Sequence, residues 1–381
     1  LVRSRGLGDV YKRQGLYIHI PYCHSKCSYC DFCSTSKVDT AEDYITALID
    51  EYRLRKDEVN EPLSTVYIGG GTPSILPMPT LSRLVESLGH PVLEEFTIEA
   101  NPEDVTPEWV DAIIRMGINR VSIGIQSLVD SELKAINRRH SAARAEEALM
   151  TLKSGGIAEI SGDLIYGLPG QSLESWNYSL NKLIGYGLTH ISAYNLSYEP
   201  GTRLYAQLIS DKVNEASDET IESMYALLTD SLRKNGYEHY EISNFAQPGH
   251  RAHHNSNYWN MTPYIGLGVS AHSFDGKTRR ANGNRIKDYI KSINSANTYY
   301  EVEEESPENI LNDYIITALR TRDGINLNDM RLRFNSDTVE NLLSSAKRYI
   351  ASGRLIKTDE SLSLSETAIL ISDSIFRDLI V

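Results

Sequence analysis

The sequence predicts an α/β fold in which six parallel strand–helix steps form a partial TIM-type barrel, followed by a small, mostly helical domain. Three observations lead there. Strand-like and helix-like segments alternate over roughly the first two hundred residues of a 381-residue chain, the pattern of a parallel sheet with crossover helices. Six steps fall short of a closed eight-fold barrel, which takes about 250 residues. Polar or glycine-rich clusters recur where each strand ends, the side on which such folds collect function.

Taken in order, strands are expected near Tyr17–Ile20, Thr65–Ile68, Glu95–Glu99, Arg120–Ile125, Ile160–Tyr166 and His190–Asn195. Helices fall between them, near Ala41–Lys56, Thr80–Leu88, Pro107–Met116, Ala142–Ser154 and Leu173–Tyr186. The first strand runs into Cys23, Cys27, Cys30 and Cys33, which are all the cysteines of the chain. The second runs into Gly69-Gly70-Gly71-Thr72-Pro73, the third into Glu99-Ala-Asn-Pro102 and the fourth into Gln126-Ser127. The fifth carries Asp163 and leads to Tyr166-Gly-Leu-Pro-Gly170, and the sixth gives Tyr194-Asn-Leu-Ser197. A turn or a helix cap accounts for any one of these clusters. All six on one face describe a site.

Thiols gathered in one loop read as a metal site, since disulfides would be scattered across the fold. Thiolates select zinc or iron–sulfur clusters. A structural zinc site draws its ligands from two separated pairs, whereas a compact run suits an iron–sulfur loop. Three cysteines on a cluster leave one iron open to a small molecule, which points to chemistry on a substrate. A zinc-stabilised binding module without redox chemistry is the bland alternative.

The run Tyr17-Ile-His-Ile-Pro-Tyr-Cys23-xxx-Cys27-x-Tyr29-Cys30, with Gly69-Gly-Gly-Thr-Pro73 behind it, resembles the radical S-adenosylmethionine superfamily. More narrowly it resembles the branch of oxygen-independent coproporphyrinogen III oxidase and the HemW-type haem chaperones, from about Gly15 to the C-terminus. The resemblance implies a 4Fe–4S cluster on Cys23, Cys27 and Cys30, with S-adenosylmethionine chelated at the open iron. It places Tyr17, Tyr29, Gly70, Gly71, Thr72, Glu99, Gln126, Arg138, Asp163 and Ser197 around that cofactor. The Gly70 and Gly71 amides are expected against its amino group, because no Cβ intervenes. A helix-end position in solvent is the plain reading of Arg138. Glu99 and Asp163, inside a barrel, need a partner such as a ribose hydroxyl or a cation. The implied chemistry is one-electron reduction of the sulfonium, giving methionine and a 5′-deoxyadenosyl radical, with the protein orienting and shielding the cofactor.

Two departures separate the branches. The oxidase, as the resemblance implies, carries a further cysteine two residues after the third, where this chain has Phe32; Cys33 is then a bystander. The oxidase also has a longer N-terminal region. Further on, His254, Asn255, Tyr258 and Trp259 form HNxxYW, which resembles the haem-binding motif of the chaperone branch. Imidazole is a natural axial ligand of haem iron, and a flat aromatic pair can pack on a porphyrin. The plain reading is a turn cap with core aromatics; His253 and His272 are alternative ligands. The chain is thus expected to bind haem and to pass it to acceptor proteins such as respiratory haem enzymes, with oxidative decarboxylation of coproporphyrinogen III as the rival.

Composition agrees. The chain is 41% hydrophobic with no run near the roughly twenty apolar residues of a membrane helix, and a cytoplasmic location is expected. A net charge of −13 argues against broad nucleic-acid binding, which needs a basic face. Twenty-three tyrosines against six phenylalanines suit a polar, partly open cavity.

Four segments follow. Residues 1–14, basic and without apolar periodicity, are expected to be a non-native or disordered leader; 15–245 the barrel; 246–305 the haem-motif segment and an acidic connector, Glu301–Glu305. Residues 306–381 are expected as helix–helix–helix–hairpin, a winged-helix-like module. From Pro307 onward nine Lys/Arg face eleven Asp/Glu, so packing over the barrel mouth or docking a partner is expected rather than DNA binding.

Overall fold

A computed structural model describes residues 14–381 apart from His90 and Val92; the leader expected at 1–14 lies outside them but for Gln14, which opens the first strand. Six parallel strands stand in chain order: β1 (Gln14–Ile20), β2 (Leu63–Gly70), β3 (Glu95–Ala100), β4 (Arg120–Gln126), β5 (Glu159–Tyr166) and β6 (His190–Asn195). Between them run α1 (Ala41–Leu54), α2 (Met78–Ser87), α3 (Pro107–Arg115), α4 (Asp130–Ala135), α5 (Ala142–Gly155) and α6 (Leu173–Gly185). Only α4 has no counterpart in the sequence expectation. Alternation sorts each strand's faces. On β1, Leu16, Ile18 and Ile20 are fully buried against the helices, and Gly15, Tyr17 and His19 turn inward.

The sheet does not stop at six strands. After α7 (Arg203–Leu208) and α8 (Asp218–Lys234), β7 (Glu238–Glu241) and β8 (Asn244–Ala246) add antiparallel strands beyond β6. The boundary expected at 245/246 therefore falls inside β8. Next, α9 (His253–Trp259) precedes β9 (Tyr264–Leu267), which pairs in parallel with β1; β10 (His272–Phe274), β11 (Thr278–Asn282) and β12 (Tyr300–Glu304) extend that edge, with α10 (Ile286–Asn294) before β12. The expected acidic connector is thus mostly β12, an edge strand, where charge on both faces is tolerated because neither is covered.

A buried ionic knot fastens this extension to the barrel. Arg55, 2% exposed, bonds Glu51 at 3.1 Å, the Gly266 carbonyl at 2.8 Å and Ser273 Oγ at 2.9 Å. Glu51 in turn accepts from the Gly268 N–H at 2.8 Å, Asn282 at 2.9 Å and the Tyr289 hydroxyl at 2.7 Å. Glu58 also pairs with Arg55, at 2.9 Å; the remaining outside partners lie on β9–β11, their turns or α10, and the pair's bonds compensate for its burial.

The C-terminal part has its own apolar core, including Ile315, Leu319, Met330, Leu342, Leu355 and Phe376. Its elements are α11 (Pro307–Leu319), β13 (Ile325–Asn326), α12 (Leu327–Arg333), α13 (Ser336–Ala351), β14 (Leu355–Lys357), β15 (Ser361–Leu364) and α14 (Ser372–Leu379). Three helices and a hairpin are as expected; β13 and α14 are additions. It meets the barrel beside β7: the Ile242 N–H donates to Arg320 O and the Arg322 N–H to Tyr240 O.

Candidate functional site

The carboxyl ends of β1–β6 surround a cavity of about 450 Å³. The cysteine loop is pinned over its mouth by main-chain bonds, Cys23 N–H to Thr35 O at 3.0 Å and Ser28 N–H to Ile136 O at 3.0 Å. Cys23, Cys27 and Cys30 line the cavity; Cys33 does not. Its thiol turns instead to the Asn284 carbonyl at 3.4 Å. Thr72 Oγ1 approaches Cys23 Sγ at 3.5 Å, and the Arg138 guanidinium approaches Cys27 Sγ at 3.5 Å. Burial pushes the Cys23 and Cys30 thiols above their ordinary range. Three thiols of one loop lining one cavity fit the ligand set of a cluster.

The glycine loop works differently from expectation. The Gly70 N–H donates to Glu99 Oε2 at 2.9 Å, the Gly71 N–H to Ile20 O at 2.8 Å and the Thr72 N–H to Tyr22 O at 2.8 Å. These amides are spent within the protein and, being donors, offer nothing to an ammonium group. The glycines instead permit close packing. A Cβ on Gly71 would lie 2.7 Å from Tyr22 O and 3.0 Å from Cys23 Sγ, and one on Gly70 (φ 112°) would lie 2.5 Å from the His19 ring.

Of the other expected cofactor residues, Tyr29, Thr72, Glu99, Gln126, Arg138, Asp163 and Ser197 line the cavity. Tyr17 does not; it stands behind Tyr67, stacked at 6.0 Å. Arg138 is no solvent arginine: it also bonds Asn101 Oδ1 at 2.9 Å and the Gly124 carbonyl, and the cysteine and tyrosine beside it favour its charge despite burial. Glu99 accepts from the Tyr67 hydroxyl at 2.7 Å, and burial lifts its carboxyl to about 7. Asp163 accepts from Ser122 at 2.8 Å and Ser161 at 3.2 Å, and burial raises it too. Ser197 donates to Glu199. Tyr67, Ser122, Ser161, His190 and Ser192 also line the cavity and were not anticipated; Asn101 and Tyr194, expected among the strand-end clusters but given no role, line it too. A period-two polar pattern within the strands marks most of them: Ser122-x-Gly-x-Gln126, Ser161-x-Asp163, His190-x-Ser192-x-Tyr194.

The HNxxYW segment forms α9 beneath the barrel. Glu95, near the amino end of β3, accepts from the His253 and His254 N–H groups at 2.8 and 3.1 Å, a carboxylate placed at a helix N-terminus. Asn255 reaches the cavity floor. His254 is 1% exposed, stacked on Tyr67 at 5.2 Å. Its Nδ1 meets Thr65 Oγ1 at 2.9 Å and its Nε2 meets the Tyr258 hydroxyl at 2.9 Å; burial lowers it to about 3. Tyr258 sets its edge on His254 and on Tyr264, and Trp259 lies under Arg320 at 5.0 Å. Asn255 alone of the four expected haem residues faces the cavity, and both imidazole nitrogens of His254 are taken.

Comparison with known proteins agrees with this geometry. The family model for the radical SAM superfamily matches residues 17–183, and that for the HemN C-terminal domain matches 306–371. The chain is 33% identical to the heme chaperone HemW of Lactococcus lactis over 93% of this chain and 95% of the relative. It is 31% identical to the heme chaperone HemW of Bacillus subtilis over 91% and 93%. Among solved structures, coproporphyrinogen III oxidase (HemN) from Escherichia coli superposes with a TM-score of 0.84 at 21% identity, covering 97% of this chain and 91% of that one, a likeness of fold. With a three-thiol mouth above a parallel barrel and this identity over nearly the whole length, the chain belongs to the radical SAM superfamily, in the branch of the HemW proteins.

Proposed function

We propose that this protein is a haem chaperone that carries a 4Fe–4S cluster with S-adenosylmethionine in its barrel mouth and passes haem to acceptor proteins. The observation that carries the reading is the cysteine arrangement within a chain alike HemW relatives end to end: Phe32 holds the second place after Cys30, and Cys33 turns away to Asn284. The oxidase alternative rests on fold alone.

In this reading Cys23, Cys27 and Cys30 hold the cluster, and Tyr29, Thr72, Glu99, Gln126, Arg138, Asp163 and Ser197 surround the S-adenosylmethionine. The cluster, when bound, supplies an open iron and an electron. The chain's own residues do the rest. Arg138 sets its guanidinium 3.5 Å from Cys27 Sγ, a cation beside a would-be ligand. Glu99 and Asp163 offer carboxylates to a cationic sulfonium in a cavity where charge is little screened. Asn255 and the α9 segment close the floor. No described helix is long and apolar enough to cross a membrane, and we place the protein in the cytoplasm with haem proteins as its acceptors.

The test pairs two anaerobic assays on reconstituted protein. Stoichiometric haem uptake followed in the Soret band, with delivery to an apo-haem enzyme and no protoporphyrinogen formed from coproporphyrinogen III, is expected. Protoporphyrinogen formation without haem uptake would overturn the reading in favour of the oxidase.

A further inference from the structure

Two of the three cysteines that line the cavity meet side chains from other loops, and one residue holds both of those side chains. Arg138, which follows α4, sets Nη1 3.5 Å from Cys27 Sγ. Thr72, which follows β2, sets its hydroxyl 3.5 Å from Cys23 Sγ. Between them stands Asn101, the first residue after β3. Its Oδ1 accepts from Arg138 Nη2 at 2.9 Å, and its Nδ2 donates to Thr72 Oγ1 at 3.2 Å. Ser34 also bonds Cys23 and Tyr29 bonds Cys27, but the partners of Asn101 are Arg138, Thr72 and Ser74.

The direction of each bond in this chain is forced. A guanidinium only donates, so the Asn101 oxygen must face Arg138 and the amide NH2 must face Thr72. Thr72 Oγ1 then accepts from Asn101, and its one proton is left for Cys23. Each arm therefore presents a donor to a sulfur. The centre of the chain is itself fixed. The Asn101 N–H donates to Ser74 Oγ at 3.2 Å, and Ser74 donates to Asp104 at 2.7 Å. Pro102 behind it favours the extended backbone that Asn101 adopts, with ψ 148°. Arg138 is held from its far side by the Gly124 carbonyl, where a Cβ on residue 124 would lie 3.1 Å from Nη2.

Resting on the cluster assigned above to these cysteines, we infer that Asn101 is a positioning residue of the cluster site: it bonds neither thiol, yet it aims one donor at Cys27 and another at Cys23, and through them it helps set the cluster's reduction potential. Hydrogen bonds to the sulfurs are one of the levers on that potential, and groups behind the ligands' immediate partners orient them. A reduced cluster carries more negative charge, so a donor to its sulfur binds the reduced state more strongly. Losing such donors lowers the potential.

The experiment is a mediated redox titration of the full chain with its reconstituted cluster and no S-adenosylmethionine, read in the paramagnetic resonance of the reduced cluster. Iron and sulfide content serve as the loading control. Asn101→Ala should lower the midpoint by about 59 mV, a tenfold change in the one-electron equilibrium, and Thr72→Val should lower it by part of that. Asn101→Asp separates aim from mere packing. The carboxylate keeps Arg138 but cannot donate, so the Thr72 hydroxyl turns to it and leaves Cys23. Thr72→Val in the Asn101→Asp background should therefore shift the midpoint no further. This pair carries the test even if Asn101→Ala takes up no cluster. A wild-type midpoint in fully loaded Asn101→Ala would overturn the inference, as would an equal Thr72→Val shift in the wild-type and Asn101→Asp backgrounds. Wild-type protein that takes up no iron and sulfide would instead overturn the cluster reading, and this role with it.

Discussion

Glu99 gives a test in which the sign of the effect is as informative as its size. The carboxylate is lifted from 4.5 to about 7 by burial, against the two bonds it accepts from Tyr67 and the Gly70 N–H. Between those pH values the folded chain holds more protons than the unfolded one, so Glu99 lowers stability as pH rises through the window. Across the whole gap the loss is roughly 3 kcal/mol, at 1.36 kcal/mol per pH unit. Glu99→Gln removes the titration. The amide keeps one acceptor and gives up the other, a cost of about 1 kcal/mol that does not vary with pH. Urea unfolding without S-adenosylmethionine should therefore find the wild type the more stable near pH 5. By pH 8 the difference should have moved by about 2–3 kcal/mol toward the variant, reversing the order. Asp163 titrates in both proteins and drops out of the comparison to first order. A difference that stayed constant from pH 5 to pH 8, or moved the other way, would refute the claim that Glu99 is held protonated by its surroundings.

Other expectations follow from single contacts. Cys33→Ser should leave iron and sulfide content unchanged, because the thiol faces Asn284 rather than the cavity, whereas Cys30→Ser should abolish it. Glu51→Ala leaves Arg55 paired with Glu58 but takes the buried acceptor from the Gly268 N–H, Asn282 and the Tyr289 hydroxyl, and should cost about 3 kcal/mol in urea unfolding; an unchanged midpoint would mean the knot contributes nothing. Gly71→Ala must push the Tyr22 carbonyl, 2.7 Å from the new Cβ, so reconstituted cluster content should fall, and full content would show that the loop yields freely.

The six barrel strands were legible because each is a run of apolar, β-branched residues on one face, and the strand–helix period repeats without interruption. The extension was not. β9, β10 and β8 hold four, three and three residues, too few for a period to show, and β12 is acidic along most of its length. What holds these strands is remote: Glu51 and Arg55, on and just after α1, bond groups more than two hundred residues away. A local pattern carries no trace of such partners.

The site divides along the same line. Cys23, Cys27 and Cys30 come together on one cavity, as three thiols in one short loop after a strand lead one to expect. Gly70 and Gly71 also line that cavity, but only coordinates reveal that they spend their amides on Glu99 and Ile20. Histidine is the sharper case. His254 stands in the most conspicuous motif of the second half, yet a threonine 189 residues away occupies one nitrogen and Tyr258 the other. Residue type tells which side chains could ligate iron. Whether one can do so depends on the company its nitrogens keep, and at His254 part of that company comes from β2, a strand far away in the sequence.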